Sequence, residues 1–285
     1  MTLITVLLVI AAEFYFKWGA EYRRFDWFDS LHVKLADSLG DKPLYQDWGG
    51  VMLILLLPLI ILSVALSLVP DFVYGLVFFF VSCAVLFLCM GPKPLSETFA
   101  EYFIAMERGD AEAAFLNLQS EKVIDDIPEG DDVVRNATRA ILIESQTRYF
   151  GVIFWFIFLG PYGALFYRLS HYYRQVCRHE QNEDHIELVE RLLHILDWAP
   201  SRITSMLFLL TGDFVSGFYR VKDYLVDFTA DNRHLITETG IAALGVDMHS
   251  TNDDFKENRD AIAMVNRTVI MYLVVVAALS PLAFW

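Results

Sequence analysis

The chain has 285 residues, 55% of them hydrophobic, with a mean hydropathy of +0.41 and a formal net charge of −14. Soluble globular chains carry about 45–50% apolar residues, and here the excess is gathered into long runs, which argues against an ordinary soluble globule. The negative charge repels phosphate backbones and disfavours nucleic acid as a partner, while three cysteines, two of them inside an apolar run, do not make a disulfide framework.

From the start of the chain, Leu3 to Phe16 is apolar except for Glu13. It has no basic n-region and no small-residue cleavage pattern, so it reads as an uncleaved first helix. Glu13 is expected near the interface and reaching water; the other reading puts it in a polar cavity of the bundle. Val51 to Val69 and Phe72 to Met90 contain no charged residue and are joined only by Pro70 and Asp71. Each is long enough to cross about 30 Å of hydrocarbon, and together they predict a tight antiparallel hairpin that tolerates Pro58 and Gly75. Lys17, Arg23, Arg24, Lys34 and Lys42 precede the hairpin and its connector has no basic residue, so residues 17–50 are expected in the cytoplasm and the amino terminus outside.

Residues 91–149 read as a polar, cytoplasmic helical segment. Phe99, Tyr102, Phe103 and Met106 recur at helical spacing, and Arg108-Gly109-Asp110 ends one helix and caps the next, which predicts a short helical hairpin. Asp125, Asp126, Glu129, Asp131 and Asp132 read as a solvated loop, because their spacing does not match a calcium loop. A helix from Val133 to Tyr149 then carries Arg135, Arg139, Glu144 and Arg148 towards the next apolar run.

That run, Phe150 to Tyr167, is interrupted by Gly160, Pro161 and Gly163, which either kink one helix or split it into two half-helices that dip in and return. A single crossing would put Arg168, Arg174 and Arg178 outside and strain the positive-inside rule; a re-entrant turn would keep them inside. The cluster His179, Glu180, Glu183, Asp184 and His185 lacks the His-Glu-x-x-His order of a zinc site. Ile186 to Leu196 reads as an amphipathic helix, and Arg202 to Lys222 suits a helix in the interface or partly inserted. Val269 to Trp285 is a last apolar run.

The predicted architecture is all-α: a polytopic membrane helical bundle with a cytoplasmic helical hairpin segment. Residues 1–90 hold the first membrane helices (about 3–16, 51–69 and 72–90) and residues 91–149 the polar segment. Residues 150–285 hold the membrane run 150–167, an amphipathic segment 168–267 and a span at 269–285. No P-loop, nucleophile elbow or dinucleotide fingerprint is present, and the sequence names no cofactor, metal or catalytic group.

The opening MTLITVLLVIAAEFYFK, the apolar hairpin, FWFIFLGPYGALFYRL and LHILDWAPSRIT together resemble the AmpE regulatory proteins linked to β-lactamase induction. That resemblance implies a multi-pass bacterial inner-membrane protein tied to signalling in cell-wall recycling, without an assigned enzymatic activity. More distantly, Gly160-Pro161-x-Gly163-Ala164-Leu165-x-Tyr167-Arg168 and Trp198-x-Pro200-Ser201-Arg202 are similar to stretches of the CobD/CbiB cobalamin-biosynthesis proteins, membrane enzymes that form an amide on a corrinoid. This second likeness implies anion-holding roles for Arg168 and Arg202. Against it, His171-Tyr172-Tyr173-Arg174 stands where those enzymes carry Asn-Thr-Leu-Asp, and their amino-terminal signatures are missing. The expected partners are the lipid bilayer and a small anionic ligand or cell-wall-recycling partner. The expected ligand surface is Glu144, Arg148, Arg168, Asp197 and Arg202, all at the membrane boundary.

Overall fold

A computed structural model describes residues 2–15, 25–40, 42–43, 45–91, 93–120, 133–245 and 255–279. Among them every regular element is helical: α1 (Thr2–Tyr15), α2 (Asp26–Leu39), α3 (Trp48–Ser67), α4 (Asp71–Cys89), α5 (Leu95–Thr98), α6 (Ala100–Glu107), α7 (Ala111–Ser120), α8 (Val133–Ser145), a π-helical turn (Gln146–Phe150), α9 (Gly151–Glu180), α10 (Glu183–Thr211), α11 (Phe214–Val226), α12 (Asn232–Ala243) and α13 (Lys256–Leu279). The chain divides into two compact units, residues 1–92 with 151–197 and residues 93–150 with 198–285, so that α10 belongs to the first up to Asp197 and to the second from Trp198.

Among the described residues four helical stretches are long and apolar enough to cross a membrane: Trp48–Ser67, Asp71–Cys89, Val133–Glu180 and Lys256–Ala278. In the first unit, α3 begins at Asp47, whose carboxylate accepts the Trp48 N–H at 2.7 Å, and α4 follows Pro70 with Asp71 in its first turn, where a negative charge suits the helix dipole. The two helices follow each other directly but do not close into the tight antiparallel hairpin expected of them, because α3 packs on α2 and α9 and α4 on α1 and α9. Large apolar side chains point outward at their junction, Leu68 at 78% and Phe72 at 88% exposure. Such surface is stable against acyl chains and not against water. The inward side buries Val51, Ile54, Leu55, Val85 and Leu86, and α4 packs along both α1 and α9. Glu13 lies buried on α1 instead of reaching water, which corrects the expectation of an interfacial carboxylate; helix packing covers it.

The stretch Val133–Glu180 does not cross as one rod. Gly160, at φ 63° and ψ −151°, breaks α9 in a backbone region that is essentially reserved for glycine. Pro161 then opens the returning limb, its ring fixing a helical φ and its missing N–H removing one donor that the break would have orphaned. The two limbs lie side by side. A Cβ added to Gly163 would stand 2.4 Å from the Trp155 carbonyl oxygen, and one added to Gly151 would stand 2.2 Å from the Tyr167 hydroxyl. Residues eight and sixteen apart could not meet in a straight helix, where they would be separated by about 12 and 24 Å. The limb from Gly151 to Leu159 is about 13 Å long at about 1.5 Å per residue and continues the helical stretch that begins at Val133. Phe158 and Leu159 are exposed at the tip. The sequence left crossing and re-entry open; α9 folds back on itself at Gly160, which is the geometry that the re-entrant reading requires.

In the second unit, α6 and α7 form a short hairpin. Gly109 turns it at φ 74°, and Asp110 Oδ1 accepts the Ala113 N–H at 2.9 Å. Helix α8 packs against α7, α12 and the first half of α13. A buried amide centres that contact: Asn258 accepts from the Tyr102 hydroxyl at 2.7 Å and donates to the Val134 carbonyl at 2.7 Å and to Thr138 Oγ1 at 2.8 Å. Buried polar groups persist when their bonds are filled in this way, and the three partners fix the register of α13 on α8.

Candidate functional site

In the second unit, α8 delivers Glu144 to the edge of the π-helical turn that carries Arg148. Single π turns displace side chains from helical register and recur at functional positions. Arg148 Nε donates to Glu144 Oε2 at 2.5 Å, and its Nη1 donates to the Lys93 carbonyl at 2.8 Å and to Thr98 Oγ1 at 2.9 Å. In the same turn, Gln146 Oε1 accepts from Thr204 Oγ1 at 2.7 Å. Two residues earlier on α10, Arg202 Nη1 donates to Asn232 Oδ1, Ser201 Oγ and the Trp198 carbonyl, and Nη2 donates to the Asp227 carbonyl at 2.6 Å. The guanidinium also lies 4.8 Å from the Trp198 ring centre. Burial pushes the Arg202 pKa down, and the Asp227 charge opposes that shift. Four buried polar atoms here have no protein partner, namely Gln146 Nε2, Arg202 Nε, Trp198 Nε1 and Ser205 Oγ. Three of the four can only donate, so what would satisfy them is an acceptor.

In the first unit, Asp197 is held by the returning limb of α9. The Tyr167 hydroxyl donates to Asp197 Oδ1 at 2.6 Å, and His171 Nε2 lies 3.3 Å from both carboxylate oxygens. Tyr167 reaches this position because Gly151 leaves room for its ring. A neutral imidazole donating from Nε2 presents a bare lone pair at Nδ1, and His171 Nδ1 is buried without a protein partner. Arg168 is half-buried in the same unit. A second histidine, His185, is fully used: Nε2 meets the Tyr45 carbonyl at 2.6 Å, which makes it the donor, and Nδ1 accepts from the Tyr173 hydroxyl at 2.5 Å. His32, 3.6 Å from Glu180, has its pKa lowered by burial, against the raising effect of Glu180.

The five residues expected at one ligand surface therefore have distinct surroundings. Glu144 and Arg148 are bonded to each other, Arg202 is bonded to Asn232 and the Asp227 backbone, and Asp197 is bonded to Tyr167 and His171. Among the described residues no group of three or more His, Cys, Asp or Glu could hold a metal, and the acidic loop from Asp125 to Asp132 lies outside the described residues. Sequence reasoning passed over Gln146, His171, Thr204 and Asn232. Two spacings carried a signal: Tyr167 and His171 one turn apart, and Ser201, Thr204 and Ser205 together on one side of α10.

A bundle of apolar helices with outward-facing hydrophobic surface, a helix folded back on itself and charged groups gathered outside the uncharged spans defines a polytopic α-helical membrane protein. Residues 1–282 match the family described as "Regulatory signalling modulator protein AmpE", and the chain belongs to that family. It is 25% identical over 295 aligned residues to Protein AmpE of Shigella flexneri, covering 98% of each chain. It is also 26% identical over 209 residues to the cobalamin biosynthesis protein CobD of Chromobacterium violaceum, covering 70% of this chain and 64% of that one. A CobD protein of Stutzerimonas stutzeri is 26% identical over 194 residues, covering 67% of this chain and 62% of its own length. No solved structure matches.

Proposed function

We propose that this chain works in the bacterial inner membrane in the regulation of β-lactamase induction and cell-wall-recycling signalling, by binding a small anionic ligand or a cell-wall-recycling partner at the cytoplasmic face. The observation that carries the reading is the family match over residues 1–282, with an AmpE relative aligned along 98% of both chains. The ligand component is supported by the donors left over beside Arg202, because Gln146 Nε2, Arg202 Nε and Trp198 Nε1 all ask for an acceptor. Removing the gene should change β-lactamase induction by a β-lactam, measured as enzyme activity after challenge; unaltered induction contradicts the regulatory role. For the ligand, thermal melting is followed with muropeptides, nucleotides and corrinoids for wild type, Arg168→Ala and Arg202→Gln. A shift in wild type that is lost in a variant supports the site, and no shift, or equal shifts in all three, removes it.

A second reading, a CobD-like amide-forming enzyme, is favoured by the two CobD alignments and by the shared Gly160-Pro161-x-Gly163 turn. It is opposed by Arg174, a cation where the enzyme pattern has a carboxylate. Rescue of a cobalamin-synthesis mutant separates the two readings, since growth is expected only from an active synthase.

A further inference from the structure

Helix α11 has two apolar sides. One, through Val221, is buried, and α11 packs on α12; the start of α11 is tied there by the Asp213 N–H donating to the Ala243 carbonyl at 2.8 Å. The other side carries Val215, Tyr219 and Val226 at 65%, 72% and 83% exposure, with Lys222 among them. Steps of four and seven residues place these side chains on one stripe along the helix, away from the packed face. We propose that this stripe rests in the boundary between lipid headgroups and acyl chains, so that α11 lies along the bilayer surface.

Two observations within the second unit select lipid as the occupant, given that α13 enters the bilayer. The first is continuity. Thr211 Oγ1 bonds Thr268 Oγ1 at 2.8 Å, which sets the end of α10 level with the point where the apolar run of α13 begins at Val269, and α13 exposes Ile270 and Val274 just beyond it. Helix α10 approaches that level with its own exposed ridge of Ile203, Met206 and Leu210, three and four residues apart, and α11 starts three residues after Thr211. The second is side-chain chemistry: a tyrosine and a lysine between two valines present an apolar body with polar tips, which is the mixture that settles at headgroup depth. Arg220 and Asp223 lie on one side of the stripe with opposite signs, so neutral zwitterionic headgroups suffice.

Nitroxide labels test this in full-length protein held in zwitterionic lipid nanodiscs. Val215→Cys, Tyr219→Cys and Val226→Cys are compared with Arg220→Cys and Asp223→Cys, each after replacement of Cys83, Cys89 and Cys177 by alanine. The ratio of collisions with oxygen to collisions with a water-soluble nickel chelate is expected to be at least threefold higher on the stripe than at the two flanking positions. Equal ratios at all five positions mean a water-facing helix and overturn the proposal; stripe labels reached by neither reagent mean cover by protein, such as a second copy, and overturn it too. The unmodified protein gives an independent measurement by hydroxyl-radical footprinting in the same nanodiscs. Tyr219 is expected to oxidise more slowly than Tyr224 although the protein itself leaves Tyr219 the more exposed of the two. Faster oxidation of Tyr219 contradicts a lipid-covered stripe.

Discussion

The first unit contains two proline-containing reversals between apolar helical segments, and they solve different problems. Pro70 lies between α3 and α4, two helices without a charged residue beyond Asp71 that each match the hydrocarbon thickness, and their outward residues suit lipid. In α9, Gly160 and Pro161 join a limb of half that length to one that runs on to Glu180, and the limbs are pressed together where side chains are absent, at Gly151 and Gly163. The first pair is held by packing on α9, and the limbs of α9 by close contact at two glycines. A glycine therefore means different things in each: Gly75 on α4 faces open space, with no atom within 4 Å of an added Cβ, whereas Gly163 has the Trp155 carbonyl oxygen at 2.4 Å.

The largest effect that sharpens this contrast is expected from Gly163→Leu. Forcing the limbs apart costs about 3 kcal/mol or more by overpacking, read as a fall in melting temperature in detergent, and a melt equal to wild type would mean that the limbs are not in contact. Gly160→Ala comes next. It places a side chain where only glycine is at ease and costs about 1–3 kcal/mol in the same melt; an unchanged melting temperature would show that α9 is continuous through residue 160. Tyr167→Phe keeps the ring beside Gly151 but removes its bond to Asp197, for a loss of about 1–2 kcal/mol, and no loss would show that the carboxylate does not depend on the returning limb.

A smaller effect follows pH. Burial holds the His32 imidazole below its ordinary value of 6.5, with Glu180 and Asp29 opposing and His185 reinforcing. The unfolded chain therefore binds this proton more readily than the folded one. The stability contribution is complete above about pH 6.5 and is lost as pH falls through the window below it, until folded His32 also protonates. Melts from pH 7.5 to 5 should fall more steeply for wild type than for His32→Gln, and parallel curves would exclude the effect. The least perturbing change is Gly75→Leu, which should leave the melting temperature unchanged or slightly raised; a large drop would place protein, not lipid, against that face of α4.

The helices α3 and α4 were legible because an uncharged run of nineteen residues admits few other readings, whereas their partner was not: each packs on α9 and not on the other as a tight hairpin. The short α6–α7 hairpin was equally plain from the Gly109-Asp110 turn and the apolar repeat before it. The path of α9 was half legible: Gly160, Pro161 and Gly163 announced a break, yet whether the limbs part or close depends on Gly151 meeting Tyr167 sixteen residues away, and no local periodicity encodes that contact. Glu13 escaped for a similar reason, since a carboxylate near a helix end looks interfacial until neighbouring helices are seen to cover it. At the candidate site, Glu144 and Arg148 declared themselves at a spacing of four. The partners of Arg202 and Asp197 come from Asn232 and from Tyr167 with His171, thirty and twenty-six or more residues distant, which is contact information that one sequence does not display.

The re-entrant path of α9 is tested most directly by sidedness. In oriented vesicles, in a background without native cysteines, membrane-impermeant maleimide is applied to Thr147→Cys, Leu159→Cys and Gln181→Cys from one face at a time. Thr147→Cys and Gln181→Cys should label from the same face, with Leu159→Cys reached from neither; labelling of the first and last from opposite faces would mean that the segment crosses the bilayer and would contradict the re-entrant reading.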